Sequence, residues 1–342
     1  MFHPRLAGTY YAMGFQYGTI LHKHGFKLQE QPNKKLVFGR ECEIEVKKFF
    51  PEVLDEIHGF ADACHVSYEN LATLILTVGA FKPPSSCSVF ATSTGSDILF
   101  GRNYDFYYSF KEHSESYLTK PSSGYCSLGN TDIFVGREDG VNEKGLAIGM
   151  TSVRPTKVKP GINFALLVRF ILDKCANVRE ATKALKSARH ITANNYLIAD
   201  REGNMDVVEA CPDRVRVRKP EEKEKFIVCT NHFVHLDMHN MENRGERPPD
   251  SVQRYVAIHE KLQQLNGKIN IEDAQKILSD HKGLVCSHIE EIKLGTLWSF
   301  FATLNKPSIY MAEGHPCRTK YKLDTRLSNL FKKTLKLNTK TP

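Results

Sequence analysis

The sequence predicts an α+β fold in which β-sheets are covered by helices. Three observations support this prediction. Residues 1–82 repeat apolar side chains three and four positions apart, as amphipathic helices do. Lys82–Ser86 contains two adjacent prolines, which end a helix because proline lacks a backbone donor and forces the preceding residue into extended geometry. After this break, short β segments alternate with helical patterns.

The first part of the chain, residues 1–86, is therefore expected to be a helical pre-region ahead of a domain spanning residues 87–342. Ser67 is a suitable N-cap for the last helix of this region. The clearest helical patterns of the pre-region are Met13–Leu21, Val53–Phe60 and Leu71–Leu76.

The domain that follows is expected to be layered, because its strands are bunched with helices between them. A chain of 342 residues with 41% hydrophobic residues can bury one large core or two modest ones. The predicted strands are Ser88–Thr92, Asp97–Arg102, Leu146–Val153, Tyr196–Ala199, Val207–Ala210, Arg214–Arg218, Phe226–Cys229, Leu297–Thr303 and Ser308–Ala312. The predicted helices are Phe164–Asp173, Val178–Ala188, Val252–Leu265 and Ile271–Ser279.

The net charge of +8 is concentrated in a basic tail, residues 317–342, whose eight Lys/Arg and one acid carry +7. The remaining charge is +1 (+8 − 7), so the basic composition does not predict nucleic-acid binding. Leu327, Leu330, Phe331 and Leu335 have the spacing of an amphipathic helix. We expect the tail to dock by this apolar side, and weak contact with an anionic membrane surface is the alternative.

The nine cysteines are scattered singly without a CxxC pair, which argues against a disulfide framework and against a zinc ribbon. We expect a reducing cytoplasm. The N-terminus lacks a basic run followed by an apolar stretch, and no segment has about eighteen consecutive apolar residues. We therefore expect neither secretion nor a transmembrane segment.

The segment after the prolines, residues 87–106, is predicted to be a β-hairpin with its turn at Thr94-Gly95. A turn centred there places Cys87 opposite Arg102, with Asp105 just beyond the end of the strand. A guanidinium beside a thiol favours the thiolate, which is the nucleophilic form. A nearby carboxylate can anchor an α-amino group that acts as general base. The same spacing also fits an ordinary hairpin with a buried cysteine and a surface ion pair.

The hairpin and six further segments, in chain order, resemble the choloylglycine hydrolase and acyl-CoA:6-aminopenicillanate acyltransferase families of linear amide C–N hydrolases. The acyltransferase branch is the more similar of the two, because Cys87 lies inside the chain. The resemblance implies a four-layer αββα sandwich of two antiparallel sheets, the fold of N-terminal-nucleophile hydrolases. The six segments are Gly8–Gly18, Phe50–Ala61, Asp139–Leu146, Asn195–Asp200, Thr230-Asn231 and Ser251–Tyr255.

The resemblance also implies roles for individual residues. Cys87 would be the nucleophile and, through the amine freed by cleavage of the Ser86–Cys87 bond, the base. Arg102 would lie beside the sulfur and the substrate, and Asp105 would hold the amine. Two further residues would complete the site, an amide that stabilises the oxyanion and a helix-borne arginine that joins the polar network: Asn231 and Arg254.

Three positions depart from the family pattern or leave a choice. Ser86 stands where acyltransferase-type members usually have glycine, and Thr151 stands where bile-salt hydrolases commonly have asparagine near the oxyanion. Asn195 is a second candidate amide, next to Asn194.

The function predicted from the resemblance is a self-processing cysteine hydrolase that cleaves a linear, non-peptide amide through an acyl-enzyme at Cys87. It would need neither a metal nor an organic cofactor, its substrate would be a small amide or acyl compound, and relatives of this kind are commonly homo-oligomers. Acyl transfer from a thioester or amide to an amine is the first alternative. A catalytically inactive binding protein that keeps the fold is the second.

Two further hypotheses start from single residues. His232, His235 and His239 have three and four spacing, which would align imidazoles for a metal on one helix face. The segment lacks the HExxH pattern, and surface histidines in a polar loop explain it more simply. A papain-like protease is a weaker hypothesis, because no cysteine has the local setting of that family.

Overall fold

The computed structural model describes residues 1–81, 86–248 and 250–329. The α-helices of the described residues are α1 Tyr10–Lys23, α2 Asn33–Phe49, α3 Glu52–Cys64, α4 Tyr68–Leu76, α5 Phe164–Lys174, α6 Val178–Ser187, α7 Ser251–Leu265 and α8 Ile271–Leu278. The strands are β1 Arg5–Gly8, β2 Ser86–Ser93, β3 Ile98–Tyr107, β4 Glu115–Pro121, β5 Ser127–Thr131, β6 Asp139–Asn142, β7 Ala147–Ser152, β8 Asn194–Ala199, β9 Met205–Cys211, β10 Arg214–Arg218, β11 Phe226–Cys229, β12 His288–Ile289, β13 Leu294–Thr303, β14 Ser308–Ala312 and β15 Lys322–Asp324.

The strands form two sheets within the described residues. The first sheet has the order β1-β4-β5-β6-β7-β8-β9-β10. The second has the order β11-β2-β3-β13-β14-β15, and β12 also pairs with β13. Neighbouring strands are antiparallel throughout, except that β1 runs parallel to β4. The strand that begins near Cys87 therefore lies inside the second sheet, paired on both sides.

Three buried clusters define four layers. Phe60 of α3 and Ile148 of β7 share a cluster that joins helices α1–α6 to the first sheet. Phe100 of β3 belongs to a second cluster, which fills the space between the sheets. Phe90 of β2 and Ile258 of α7 share the third, between the second sheet and helices α7 and α8. The order is helices, sheet, sheet, helices, which confirms the predicted αββα sandwich.

The predicted strands and helices are all present. Within the described residues the structure adds helix α2 and the strands β1, β4, β5, β6, β12 and β15. β1 lies ahead of α1, in the region expected to be helical. Its residues form a strand because they pair with β4, as Arg5 does with Leu118. β4, β5 and β6 were not predicted because polar residues interrupt their apolar pattern. Those polar residues are buried with partners: Asn142, for example, donates to the carbonyl oxygens of Leu172 and Cys175.

The β2–β3 hairpin is confirmed, but its predicted register is wrong. The turn spans Thr94 to Asp97, one residue further along the chain, with Thr94 N–H donating to Asp97 O and Gly95 at a φ of 88° that favours glycine. Moving the centre of the turn by one residue moves every cross-strand partner by two. Cys87 therefore pairs with Tyr104, and Asp105 lies within β3, opposite Ser86.

Two expectations fall partly outside the described residues. The prolines after Lys82 lie in residues 82–85, and Leu330, Phe331 and Leu335 of the basic tail lie beyond residue 329. Leu327, the first apolar residue of that tail, is buried in the cluster between the sheets. Among the described helices, none is both long and apolar enough to cross a lipid bilayer.

Candidate functional site

Cys87 is the second residue of β2 and is fully buried between the two sheets. Arg102 pairs with Val89, two residues along the strand, and so lies on the same face of the sheet as Cys87. Its Nη2 atom is 3.5 Å from Cys87 Sγ. The predicted contact between the thiol and the guanidinium is therefore present, although the two residues are diagonal rather than direct partners.

The guanidinium of Arg102 is held between the sheets by acceptors from the first sheet. It makes an ion pair with Asp139, and Nη2 donates to Met150 O at 3.0 Å. Asp139 also accepts from Trp298 Nε1 at 2.9 Å. Gly149 makes room for this side chain, since an added Cβ there would lie 3.0 Å from Arg102 Cδ. Arg102 is thus fixed in one position beside the sulfur.

The pKa of Arg102 stays above its ordinary value. Burial alone would lower it, but the charges of Asp139, Cys87 and Glu138 outweigh that effect. The guanidinium therefore carries a full positive charge in a water-poor space. A charge so placed stabilises a thiolate more than the neutral thiol.

The backbone of Cys87 is held by two side chains on the other side of the site. Its N–H donates to Asn231 Oδ1 at 2.8 Å, and its carbonyl oxygen accepts from Arg254 Nη1. Arg254 Nη2 also donates to Ser86 Oγ at 2.7 Å and to Asn231 Oδ1 at 2.9 Å. Arg254 therefore contacts residues on both sides of the Ser86–Cys87 bond, and the Ser86 hydroxyl is one of its acceptors.

Asp105 lies opposite Ser86, on the face of the sheet that α7 and α8 cover. Its Oδ1 accepts from Thr296 Oγ1 at 2.6 Å, whereas Oδ2 is buried without a hydrogen-bond partner among the described residues. Burial raises the pKa of Asp105 to about 7, although Arg254 opposes the shift. The carboxyl group is thus one strand away from Ser86, the residue before Cys87.

Thr151 and Asn195 hold the loop that carries Asn231. Thr151 Oγ1 donates to Thr230 O at 2.5 Å, and Asn195 Nδ2 donates to Thr230 O at 2.8 Å and to His232 O at 3.0 Å. The structure brings both residues next to the site, where their bonds support the loop. Asn231 Nδ2 donates to Ser152 O at 2.9 Å.

A cleft of about 210 Å³ reaches Tyr104, the neighbour of Cys87 across the β2–β3 hairpin. Tyr104, the cross-strand partner of Cys87, forms part of its wall, together with Glu138 and Ser152. The end of the pre-region contributes Val78–Ala80 to the same wall. The remaining lining is mixed: its apolar part includes Phe106, Phe110, Pro155, Val158, Phe164 and Ala193, and its polar part is Asp132, Arg154, Thr192, Asn194 and Glu246.

Glu138 and Asp132 are acidic residues of the cleft that were not predicted from the sequence. Burial raises the pKa of Glu138 well above its usual range, and the neighbouring Asp132 raises it further. Tyr104 donates to Asp132 at 3.0 Å. Glu138 directly precedes a family-like segment, but nothing in its spacing indicated that it would face Arg102.

The histidines that could have formed a metal site do not meet in the described structure. His232 is buried and bonded to Ser251 Oγ at 2.9 Å, and burial together with nearby arginines lowers its pKa to about 3. His235 caps the turn at Asp237. The side chains in the described residues that converge as metal ligands lie elsewhere, around His288.

Comparison with known proteins identifies the family. A profile of the family described as acyl-coenzyme A:6-aminopenicillanic acid acyl-transferase matches residues 92–318, about two thirds of the chain. The chain belongs to this acyl-transferase family. The matched range contains Arg102, Asp105, Asn231 and Arg254, and it begins five residues after Cys87.

A solved structure has a similar fold, and further proteins are similar to parts of the chain. A variant of the conjugated bile acid hydrolase from Clostridium perfringens is similar with a TM-score of 0.50 and 17% identity, covering 70% of this chain and 96% of that chain. Penicillin V acylase from Agrobacterium tumefaciens has a TM-score of 0.45 and 15% identity, covering 66% and 82%. Penicillin V acylase from Pectobacterium atrosepticum is 39% identical over 61 residues, which are 16% of this chain and 16% of that protein's length.

Proposed function

We propose that the protein is an amide hydrolase of the N-terminal-nucleophile type that matures by cleaving its own Ser86–Cys87 bond. The observation that carries the proposal is the setting of Cys87. Its sulfur lies 3.5 Å from the Arg102 guanidinium, while Asn231 and Arg254 hold its backbone N–H and carbonyl oxygen. A structural buried cysteine behaves as a small apolar residue, and it needs neither a fixed positive charge at its sulfur nor two polar side chains at its backbone.

In the maturation step, Cys87 Sγ attacks the carbonyl carbon of Ser86. The S–C bond forms as the C–N bond breaks, and the departing nitrogen of Cys87 takes a proton. Water then hydrolyses the thioester, which releases the carboxylate of Ser86 and restores the thiol. Arg254 supports this step by holding Ser86 Oγ on one side of the bond and Cys87 O on the other.

In turnover, the freed α-amino group of Cys87 would act as general base, since its ordinary pKa of about 7.7–8.0 suits work near neutral pH. Asp105 would hold this amine, because cleavage separates Cys87 from Ser86, the cross-strand partner of Asp105, and Oδ2 has a free acceptor site. The sulfur attacks the substrate carbonyl, and Asn231 with backbone donors stabilises the oxyanion. Water resolves the acyl-enzyme.

The cleft indicates the acyl side of the substrate, a compact apolar group such as an aromatic ring. Penicillin V and conjugated bile acids, the compounds in the relatives' names, belong at the start of a substrate screen. Membership of an acyl-transferase family favours a second candidate, transfer of the acyl group to an amine instead of water. Adding acceptor amines to the screen separates the two. None of the nine cysteines, all of which lie in the described residues, forms a disulfide, which supports the proposal of a reducing cytoplasm.

Intact mass and N-terminal sequencing of the purified protein, beside Cys87→Ala, test the maturation step. We expect chains of 86 and 256 (342 − 86) residues, the second beginning Cys-Ser-Val-Phe, and a single uncleaved chain in the variant. A wild-type chain that stays intact and turns over none of the amides would contradict the proposal. It would favour the inactive binding protein instead.

A further inference from the structure

Four metal-ligating side chains converge at a place remote in sequence from Cys87. The ligand atoms of His281, Cys286, His288 and Cys317 all lie within 4.8 Å of one another. His281 follows α8, Cys286 lies two residues before β12, His288 is the first residue of β12, and Cys317 follows β14. Three separate parts of the chain therefore meet at one point, and every residue that they bring there is a preferred zinc ligand.

Two distances within the cluster are close to those of a tetrahedral zinc site. His288 Nε2 is 3.4 Å from Cys286 Sγ and 3.3 Å from Cys317 Sγ. Bonds of about 2.0–2.1 Å to nitrogen and about 2.3 Å to sulfur place neighbouring ligand atoms of a tetrahedron roughly 3.3–3.8 Å apart. The other ligand atoms lie within 4.8 Å of one another, so side-chain movements of about 1 Å would complete the tetrahedron.

We propose that His281, Cys286, His288 and Cys317 bind one structural zinc ion. Two thiolates and two neutral imidazoles balance the charge of Zn²⁺, and four protein ligands leave no open position for a substrate or water. The site is therefore structural rather than catalytic. It was missed in the sequence because 28 residues separate His288 from Cys317 and neither cysteine belongs to a CxxC pair.

The proposed metal would fasten a loop that supports β3 and β13. Asn103 of β3 donates to the carbonyl oxygens of Leu278 and Val285, each at 2.8 Å. Leu278 and Val285 lie at the two ends of the segment that carries His281. Ser287, next to Cys286, donates through its N–H to Thr296 Oγ1 at 3.1 Å. Thr296 is the residue that bonds Asp105. Loss of the metal would loosen this support without removing any residue from the site around Cys87.

Metal content tests the proposal directly. Tag-free protein, prepared with a non-thiol reductant, is analysed by inductively coupled plasma mass spectrometry, and we expect about one zinc per chain. Cys286→Ser and Cys317→Ser should each lower the zinc content at least tenfold. Cys126→Ser, which alters a buried cysteine outside the cluster, is the matched control and should keep the full content.

Cobalt substitution keeps the proposal testable if a serine variant fails to fold. Wild-type protein dialysed against a chelator and then Co²⁺ should show the visible bands of tetrahedral cobalt with thiolate charge transfer, and chelation should lower its melting temperature. Less than a tenth of an equivalent of zinc after incubation with Zn²⁺ would overturn the proposal. So would zinc retained in both serine variants, or a Cys286–Cys317 disulfide in reduced preparations. None of these readouts depends on cleavage or on activity.

Discussion

Arg102 Nη2 lies 3.5 Å from Cys87 Sγ, and the same guanidinium is ion-paired with Asp139 of the facing sheet. The thiol therefore has a positively charged neighbour, and the ion pair with Asp139 holds that side chain in place. A buried arginine costs desolvation energy that a hydrophobic side chain of similar size would not. The relationship makes the charge of Arg102 the first thing to test.

Arg102→Met should slow cleavage of the Ser86–Cys87 bond by at least about tenfold, because an opposite charge nearby shifts a pKa by roughly 1 to 3 units. The appearance of the 256-residue chain after refolding, followed by mass spectrometry, measures this. Arg216→Met, which removes an exposed ion pair with Asp237, should cleave at the wild-type rate.

Removing Arg102 also leaves the buried carboxylate of Asp139 without its ion-pair partner. A second variant separates this effect from the loss of the positive charge beside Cys87. Arg102→Met combined with Asp139→Asn removes both charges and should remain slow. Recovery of wild-type cleavage in the double variant would mean that the stranded carboxylate, not the lost guanidinium, had caused the defect.

The proximity of Arg102 to Cys87 could be predicted from the sequence even though the register was wrong. Moving partners by two residues keeps each side chain on its face of the sheet, whereas a shift of one would have reversed it. The contacts of Asn231 and Arg254 could not be derived from local spacing, because they depend on β11 pairing with β2 and on the packing of α7. For those two residues the family resemblance supplied the prediction.

The additional strands and the histidine–cysteine cluster show why the remainder was missed. β1 is a strand only because β4 is there to pair with it, and its own four residues carry no clear pattern. His288 and Cys317 meet because β13 and β14 bring them together. Both features are produced by contacts between distant segments, which a pattern read along the chain does not contain.

Asp105 should make the stability of the uncleaved protein depend on pH. Its ordinary pKa is about 3.9, and burial raises it to about 7 in the folded chain. The folded state therefore holds a proton that the unfolded state has lost between these values. The stabilisation from that proton is complete below about pH 4 and is lost as the pH rises through 7.

Asp105→Asn, which resembles the neutral carboxyl, should consequently become more stable relative to the parent as the pH rises. In a Cys87→Ala background, the difference in free energy of unfolding should grow by up to roughly 4 kcal/mol between pH 4 and pH 8. Denaturant titrations across this range measure it, with Glu41→Gln as an exposed control. Parallel pH curves for the parent and Asp105→Asn would rule out a raised pKa.

Glu56 of α3 and Arg169 of α5 form a fully buried ion pair, with Arg169 Nη2 3.0 Å from Glu56 Oε2. Burial raises the pKa of Glu56, and the charge of Arg169 opposes this shift. Glu56→Gln should lower the free energy of unfolding by about 3 kcal/mol, the low end for breaking a buried pair, because glutamine keeps one acceptor.

The exposed pair of Arg40 and Glu69 is the matched comparison for this measurement. Glu69→Gln should change the free energy of unfolding by less than about 1 kcal/mol, since exposed ion pairs are screened by water. Both variants are made in the Cys87→Ala background and unfolded in denaturant. Equal effects would mean that the Glu56–Arg169 contact contributes no more than a surface pair.

The pre-region should remain bound after cleavage, because it is part of the core and not a separate unit. Phe60 and Tyr17 share a buried cluster with the first sheet, and Tyr17 donates to Glu115 of β4 at 2.8 Å. The strand β1 adds backbone bonds to β4. Cleaved protein should therefore elute in size-exclusion chromatography as one species containing both chains, and should separate only in denaturant. A 256-residue chain that elutes alone and stays folded would show that the pre-region is dispensable once Cys87 is free.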